Sequence, residues 1–211
     1  MTTFTRALRR RSARRIAAVG VLAAGSLLLS ACSDSDHDMS GMDHGSGKNS
    51  ATATVEAAGF NDADVTFAQM MIPHHQQAVE MAQLADSRAS DAEIKDLAGT
   101  IEKAQDPEIT TMTGWLKSWG RPTTTDSMPG MDMGGGGMMS DKDMKELKAM
   151  KGTEFDKMFA QMMIDHHNGA ISMARNEQKA GKDTDAKKMA AGIVTGQSAE
   201  VEQFQSILDR L

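Results

Sequence analysis

The chain has 211 residues, a formal net charge of −6, one cysteine, no tyrosine and 19 methionines. Its acidic balance lacks the basic footprint of a nucleic-acid binder and suits cations instead. With no cysteine pair to crosslink it, the fold must rest on an apolar core, which a chain of this length can bury.

The first 31 residues read as a targeting segment. Arg6, Arg9, Arg10, Arg11, Arg14 and Arg15 form a basic stretch, and the 14-residue apolar run Ile16 to Leu29 follows it. That run is too short, and wrongly flanked, for a membrane span. It ends in Leu29-Ser30-Ala31-Cys32, which resembles a bacterial lipoprotein signal with Cys32 as the lipidated first mature residue. An ordinary secretory signal with a chance cysteine is the weaker reading, because the lone cysteine sits at this boundary. Removing the six arginines leaves 17 basic against 29 acidic residues, a mature net charge of −12. The expected location is the extracytoplasmic face of a bacterial cell membrane.

Residues 32–58 are small, polar and rich in Gly and Ser, as expected of a lipidated flexible tether. His37, Met39, Met42 and His44 are interleaved there with aspartates. Such clusters suit soft or borderline metals, although a plain solvated linker explains them equally well.

The domain occupies residues 59–211 and reads as all-α. Asn61 caps a first helix, with Asp62 and Asp64 in its first turn. At about 100° per residue, Phe67, Met70, His74, Ala78, Met81 and Ala85 share one face, with Met71 and His75 beside them. Gln69, Gln76, Glu80 and Gln83 fall opposite. Pro73 inside this helix predicts a kink. A second helix is expected from Ser90, which forms a capping-box pattern with Glu93. Pro107 kinks it or begins a new segment capped by Asp106. Gly120 and Pro122 end it. Residues 121–139 form a Gly-rich loop carrying Met128, Met131, Met133, Met138 and Met139. Five methionines in a loop are hard to explain by packing, and they favour metal recruitment over a greasy linker. A short helix follows Ser140, with Met144, Leu147 and Met150 on one side. A third long helix runs from about Thr153, its cap, to Lys179, and a fourth from about Thr184 to Leu211.

The chain repeats itself. Phe67–Ala82, FAQMMIPHHQQAVEMA, returns as Phe159–Ala174, FAQMMIDHHNGAISMA, 92 residues later. The register holds without a gap to Leu116 and Leu208, with 18 identities in 50 positions. Repeats at 60–120 and 152–211 make two αα-hairpins, which bury their faces together as a ferritin-like four-helix bundle. The copies differ where Pro73 faces Asp165.

The chemistry lies in the histidine pairs. His74 and His75 point about 100° apart, so ligands to one ion must lie a turn away or on another helix. Met70 with His74, Met71 with His75, Met162 with His166 and Met163 with His167 are one turn apart, and Met81 and Met173 lie two turns on. Zinc prefers cysteine, histidine and carboxylate, and calcium and magnesium want oxygen. Methionine with histidine and no cysteine points to copper, Cu(I) above Cu(II), with Ag(I) as a mimic. Either the histidine pairs or the Met-rich segments could hold it. The competing view makes the methionines core filler and the histidines core hydrogen-bonding groups of a structural or protein-interaction module of the cell envelope. No Glu-x-x-His di-iron pattern, Gly-x-Ser-x-Gly elbow or phosphate loop occurs, so the chain does not read as an enzyme.

The pattern D-x-x-F-x-x-x-M-x-x-H-H-x-x-A-x-x-M-A resembles domain-of-unknown-function family 305. Here it reads Asp64, Phe67, Met71, His74, His75, Ala78, Met81, Ala82, and again Asp156, Phe159, Met163, His166, His167, Ala170, Met173, Ala174. The family comprises exported, ferritin-like helical proteins and includes the CopM type of copper-binding protein. The resemblance spans roughly residues 60 to 210. It implies a four-helix bundle and a role in extracytoplasmic copper homeostasis or resistance, with copper ions and a copper transporter or cuproprotein as partners.

Overall fold

The structure is a computed structural model that describes residues 59–123 and 136–211. The signal segment, Cys32, the tether with His37, Met39, Met42 and His44, and loop residues Met128, Met131 and Met133 lie outside the described residues. Among the described residues there are five helices in the order α1 (Asp62–Arg88), α2 (Ala92–Ser118), α3 (Asp141–Ala149), α4 (Thr153–Ala180) and α5 (Thr184–Leu208). None of them is long and apolar enough to cross a membrane.

Local chemistry sets the helix ends. Asn61 caps α1: its side chain accepts from the Ala63 and Asp64 N–H groups, and the Asp64 carboxylate accepts from the Asn61 N–H at 2.6 Å. The helix continues on both sides of Pro73. The cap of α2 is Asp91, not Ser90, and it accepts from Glu93 and Ile94. Ser90 is diverted: its N–H and hydroxyl both donate to Asp156 on α4. Pro107 lies within an unbroken α2, so no new segment starts at Asp106. Gly120, at φ 65°, ends the helix. There the Arg121 N–H reaches the Leu116 carbonyl at 2.8 Å and the Gly120 N–H reaches Lys117, a Schellman closure.

Ser140 and Asp143 form the capping box of α3. Thr153 is the first residue of α4 rather than its cap. Gly152 takes the cap position with φ 65°, and its N–H donates to the Arg88 carbonyl, tying the start of α4 to the end of α1. Asp183 caps α5, 92 residues after Asp91 caps α2.

The helices pack as two hairpins, α1 with α2 and α4 with α5, which meet chiefly through α1 and α4. This is the duplicated four-helix bundle expected from the repeat, with α3 as a short extra helix on the crossover. The apolar core falls into two clusters. One holds Met81, Phe155, Phe159, Met162 and Phe204, and α3 adds Met144 and Leu147 to it. The other holds Phe67, Met71, Met112, Ala170 and Ile193. Phe67 of α1 thus clusters with Ala170 and Ala174 of α4, so the two central helices run antiparallel. Along both helices the histidine pair lies at the boundary between the clusters.

The hairpins also cap each other. Asp64 of α1 accepts from the Lys182 and Asp183 N–H groups in the α4–α5 turn. Asp156 of α4 accepts from Ser90 and Asp91 in the α1–α2 turn. Both carboxylates are fully buried, and each leaves few of these turn donors unmet.

Candidate metal centre

All four motif histidines are buried, none more than 1% exposed. His75 and His167 therefore lie inside the bundle, although the helical wheel places them at the flank of the buried face. Helix α1 supplies His74 and His75, and α4 supplies His166 and His167. The antiparallel packing brings His74 against His166, with ring centroids 3.7 Å apart at 38°. His166 and His167 lie 6.4 Å apart.

Each ring's partners define its free nitrogen. His75 Nε2 donates to Glu108 at 2.7 Å and His167 Nε2 donates to Glu200 at 2.8 Å. These pairs are the same contact twice, 33 residues apart in sequence each time. His74 Nε2 donates to the Gly136 carbonyl at 2.9 Å. The Nδ1 atoms of His74, His75 and His167 and both nitrogens of His166 have no partner within the protein. A carboxylate on one imidazole nitrogen, with the other nitrogen free, is the usual outer-shell arrangement of a metal-binding histidine.

Electrostatics keeps the central pair neutral. Burial lowers His74 to about 4, partly opposed by the Gly136 hydrogen bond. Burial and the neighbouring imidazoles hold His166 well below its ordinary value. Neutral imidazole is the ligating form, so protons compete little with a cation here at neutral pH.

Gly136 and Gly137 cross over this centre. A Cβ at Gly137 would come within 2.6 Å of the Asp165 carbonyl, and one at Gly169 would overlap the Gly136 carbonyl. Met139 follows, its N–H donating to the Gln77 side chain at 2.7 Å and its carbonyl accepting from it at 2.9 Å. The end of the Met/Gly-rich loop is therefore seated on the bundle, with Met138 and Met139 half-buried.

The methionines divide by environment. Met71, Met81 and Met163 are fully buried, and Met162 is nearly so. Met70 and Met173, from opposite copies, are half-buried and line one cavity of about 400 Å³ between α1 and α4, together with Phe67 and Glu177. A second cavity of about 210 Å³ lies between α2 and α5, where Glu108, Glu200, Gln105 and Gln197 meet. Among the described residues no three His, Cys, Asp or Glu side chains converge as a ready metal site.

Sequence reasoning missed Glu108, Glu200 and Glu177. The repeat aligns Glu108 with Glu200, a signal that could have found them. Glu177 has no such signal, because its counterpart is Ala85. Gln69 is buried rather than on the outer face, because its amide donates to the Pro122 carbonyl where the chain turns back after α2.

Residues 64–208 match the family described as a domain of unknown function, DUF305. The chain belongs to the DUF305 family. A DUF305 protein from Streptomyces coelicolor is 34% identical, with a TM-score of 0.65 over 70% of this chain and 93% of that one. CopM in its Cu(II)-bound form is 34% identical, with a TM-score of 0.61 over 70% of this chain and 96% of CopM. CopM in its Cu(I)-bound form is 32% identical, with a TM-score of 0.59 over the same shares. A comparison with curated protein sequences gives no match. The DUF305 match covers both copies of the histidine motif and ends at the last residue of α5.

Proposed function

We propose that this DUF305 protein binds copper on the outer face of the cell membrane, held there by lipid on Cys32. It sequesters Cu(I) or Cu(II), or hands it to a transporter or cuproprotein, in copper homeostasis or resistance. It is a binding protein rather than an enzyme. The observation that carries this reading is the His74–His166 pair. Three of its four buried ring nitrogens lack protein partners, in a chain similar to a protein crystallised with Cu(II), Cu(I) and silver. Buried polar atoms normally find partners, so several free imidazole nitrogens at one place point to a ligand. Thioether and neutral imidazole together select copper over zinc, calcium or magnesium. The described bundle would contribute His74, His75, His166, His167, Met70 and Met173. Met128, Met131, Met133, Met138 and Met139 of the loop, with His37, Met39, Met42 and His44 of the tether, would recruit the ion. The Streptomyces coelicolor relative, described as a candidate secreted protein, supports the extracytoplasmic placement.

The test is a Cu(I) titration of the full chain against a competing chelator. Replacing His74 and His166 by alanine is expected to weaken binding by about 10- to 100-fold. Unchanged affinity would remove the helical histidines from the account.

A second reading makes the bundle a structural or interaction module of the envelope. Three of the four histidines already have hydrogen-bond partners, which favours it. Under this reading copper leaves the melting temperature unchanged. A ligand bound only by the native state must raise it.

A further inference from the structure

The two halves of the bundle are not equivalent beside the histidines. In register, Met70 and Met173 correspond to Met162 and Met81. The second pair is sealed. Met81 and Met162 lie in a core cluster closed by Met144 and Leu147 of α3, and Phe155 stands where the first copy has Ala63. The first pair is open. Met70 and Met173 line the 400 Å³ cavity, and no equivalent of α3 covers them among the described residues.

The open half also carries a carboxyl that the sealed half lacks. Glu177 lines the same cavity, is 2% exposed, and neither carboxyl oxygen has a hydrogen-bond partner of ordinary geometry. Its counterpart is Ala85, a plain core residue. The chain makes room for this carboxyl, since a Cβ at Gly181 would overlap Glu177 Oε1. A buried carboxyl without partners is unfavourable unless something compensates it. Its close neighbour Asp64 is a second carboxyl, and Asp64 already accepts from the Asn61, Lys182 and Asp183 N–H groups. Conversely, a cation held by two neutral thioethers in an apolar cavity would need a counter-charge beside it.

We propose that the cavity between α1 and α4 is a single mixed thioether–carboxylate site for a soft monovalent cation. Met70 and Met173 supply the sulfur ligands and Glu177 supplies the counter-charge. This rests on the copper reading above and adds to the histidine centre one asymmetric site per bundle. The sulfur donors come one from each repeat, so the site exists only when the two hairpins are packed.

The test uses the full chain, Cu(I) and a competing chelator. Leucine nearly conserves methionine volume, so the fold should survive Met70→Leu with Met173→Leu, and the melting curve checks it. That variant is expected to bind one Cu(I) fewer, whereas Met81→Leu with Met162→Leu, the sealed pair, keeps it. Glu177→Gln is expected to weaken the same site by about 10- to 100-fold. In methyl-labelled methionine spectra, Cu(I) should shift Met70 and Met173 together and leave Met81 and Met162 in place. Full Cu(I) binding after Met70→Leu and Met173→Leu would overturn the site and leave the copper reading standing. Equal losses from the open and sealed pairs would also overturn it. A wild-type chain that takes no Cu(I) from the chelator would bring down the site and the copper reading together.

Discussion

His74 and Glu177 are both buried, but their titrations act on stability in opposite directions. His74 binds its proton at about 4 when folded and near 6.5 when unfolded. Between those values the unfolded chain holds more protons, so stability falls on acidification from 6.5 to 4. The loss for His74 alone is about 3 kcal/mol, and His166 adds to it in the same sense. Glu177 is raised from 4.5 to about 8, by burial first and then by Asp64. Two carboxylates can only accept, but a protonated Glu177 can donate to Asp64. Its folded form therefore holds the extra proton between 4.5 and 8, and stability declines as the pH rises through that window. Chemical denaturation across pH should show both slopes, and Glu177→Gln should abolish the decline above 4.5 while keeping the acid loss. At this scale the histidines were legible because their pairing recurs 92 residues on. The repeat marked Glu108 and Glu200 without saying what they bind, and the Gly136 carbonyl had no signal, since it meets His74 only through tertiary packing.

The helices are held in place by side chains that serve a different element from their own. Asp156 belongs to α4, yet it accepts from Ser90 and Asp91 before α2. Asp156→Ala would strand these donors in a buried position, and a loss of about 2–4 kcal/mol is expected in urea unfolding. The same fact explains the misplaced helix start: a capping pattern at Ser90 is visible in sequence, but its hydroxyl is taken by a residue 66 positions away. Gly169 gives a second case. Its sequence neighbourhood is ordinary helix, and only the crossing of Gly136 excludes a side chain. Gly169→Ala should lift that crossing from the His74 ring, with a loss of about 1–3 kcal/mol, despite the better helix propensity of alanine. Amide exchange at Met139 and at the Gln77 side chain would report the release.

Across the whole molecule, duplication made the architecture readable. A gapless repeat of two amphipathic hairpins permits little besides a four-helix bundle, and the bundle places the two histidine pairs against each other. Its asymmetry was less readable. In the motif Pro73 against Asp165 marked it, whereas the larger differences lie in α3 sealing one methionine pair and Glu177 facing the other. Copper binding by the folded bundle implies linkage, so saturating Cu(I) should raise the melting temperature, by about 2.7 kcal/mol of stability at a hundred times the dissociation constant. The most direct measurement is diffraction at the copper absorption edge from crystals loaded with Cu(I). The account predicts anomalous density within the bundle, beside His74 and His166 or between Met70, Met173 and Glu177. Copper found solely outside residues 59–211, or none at all, would contradict it.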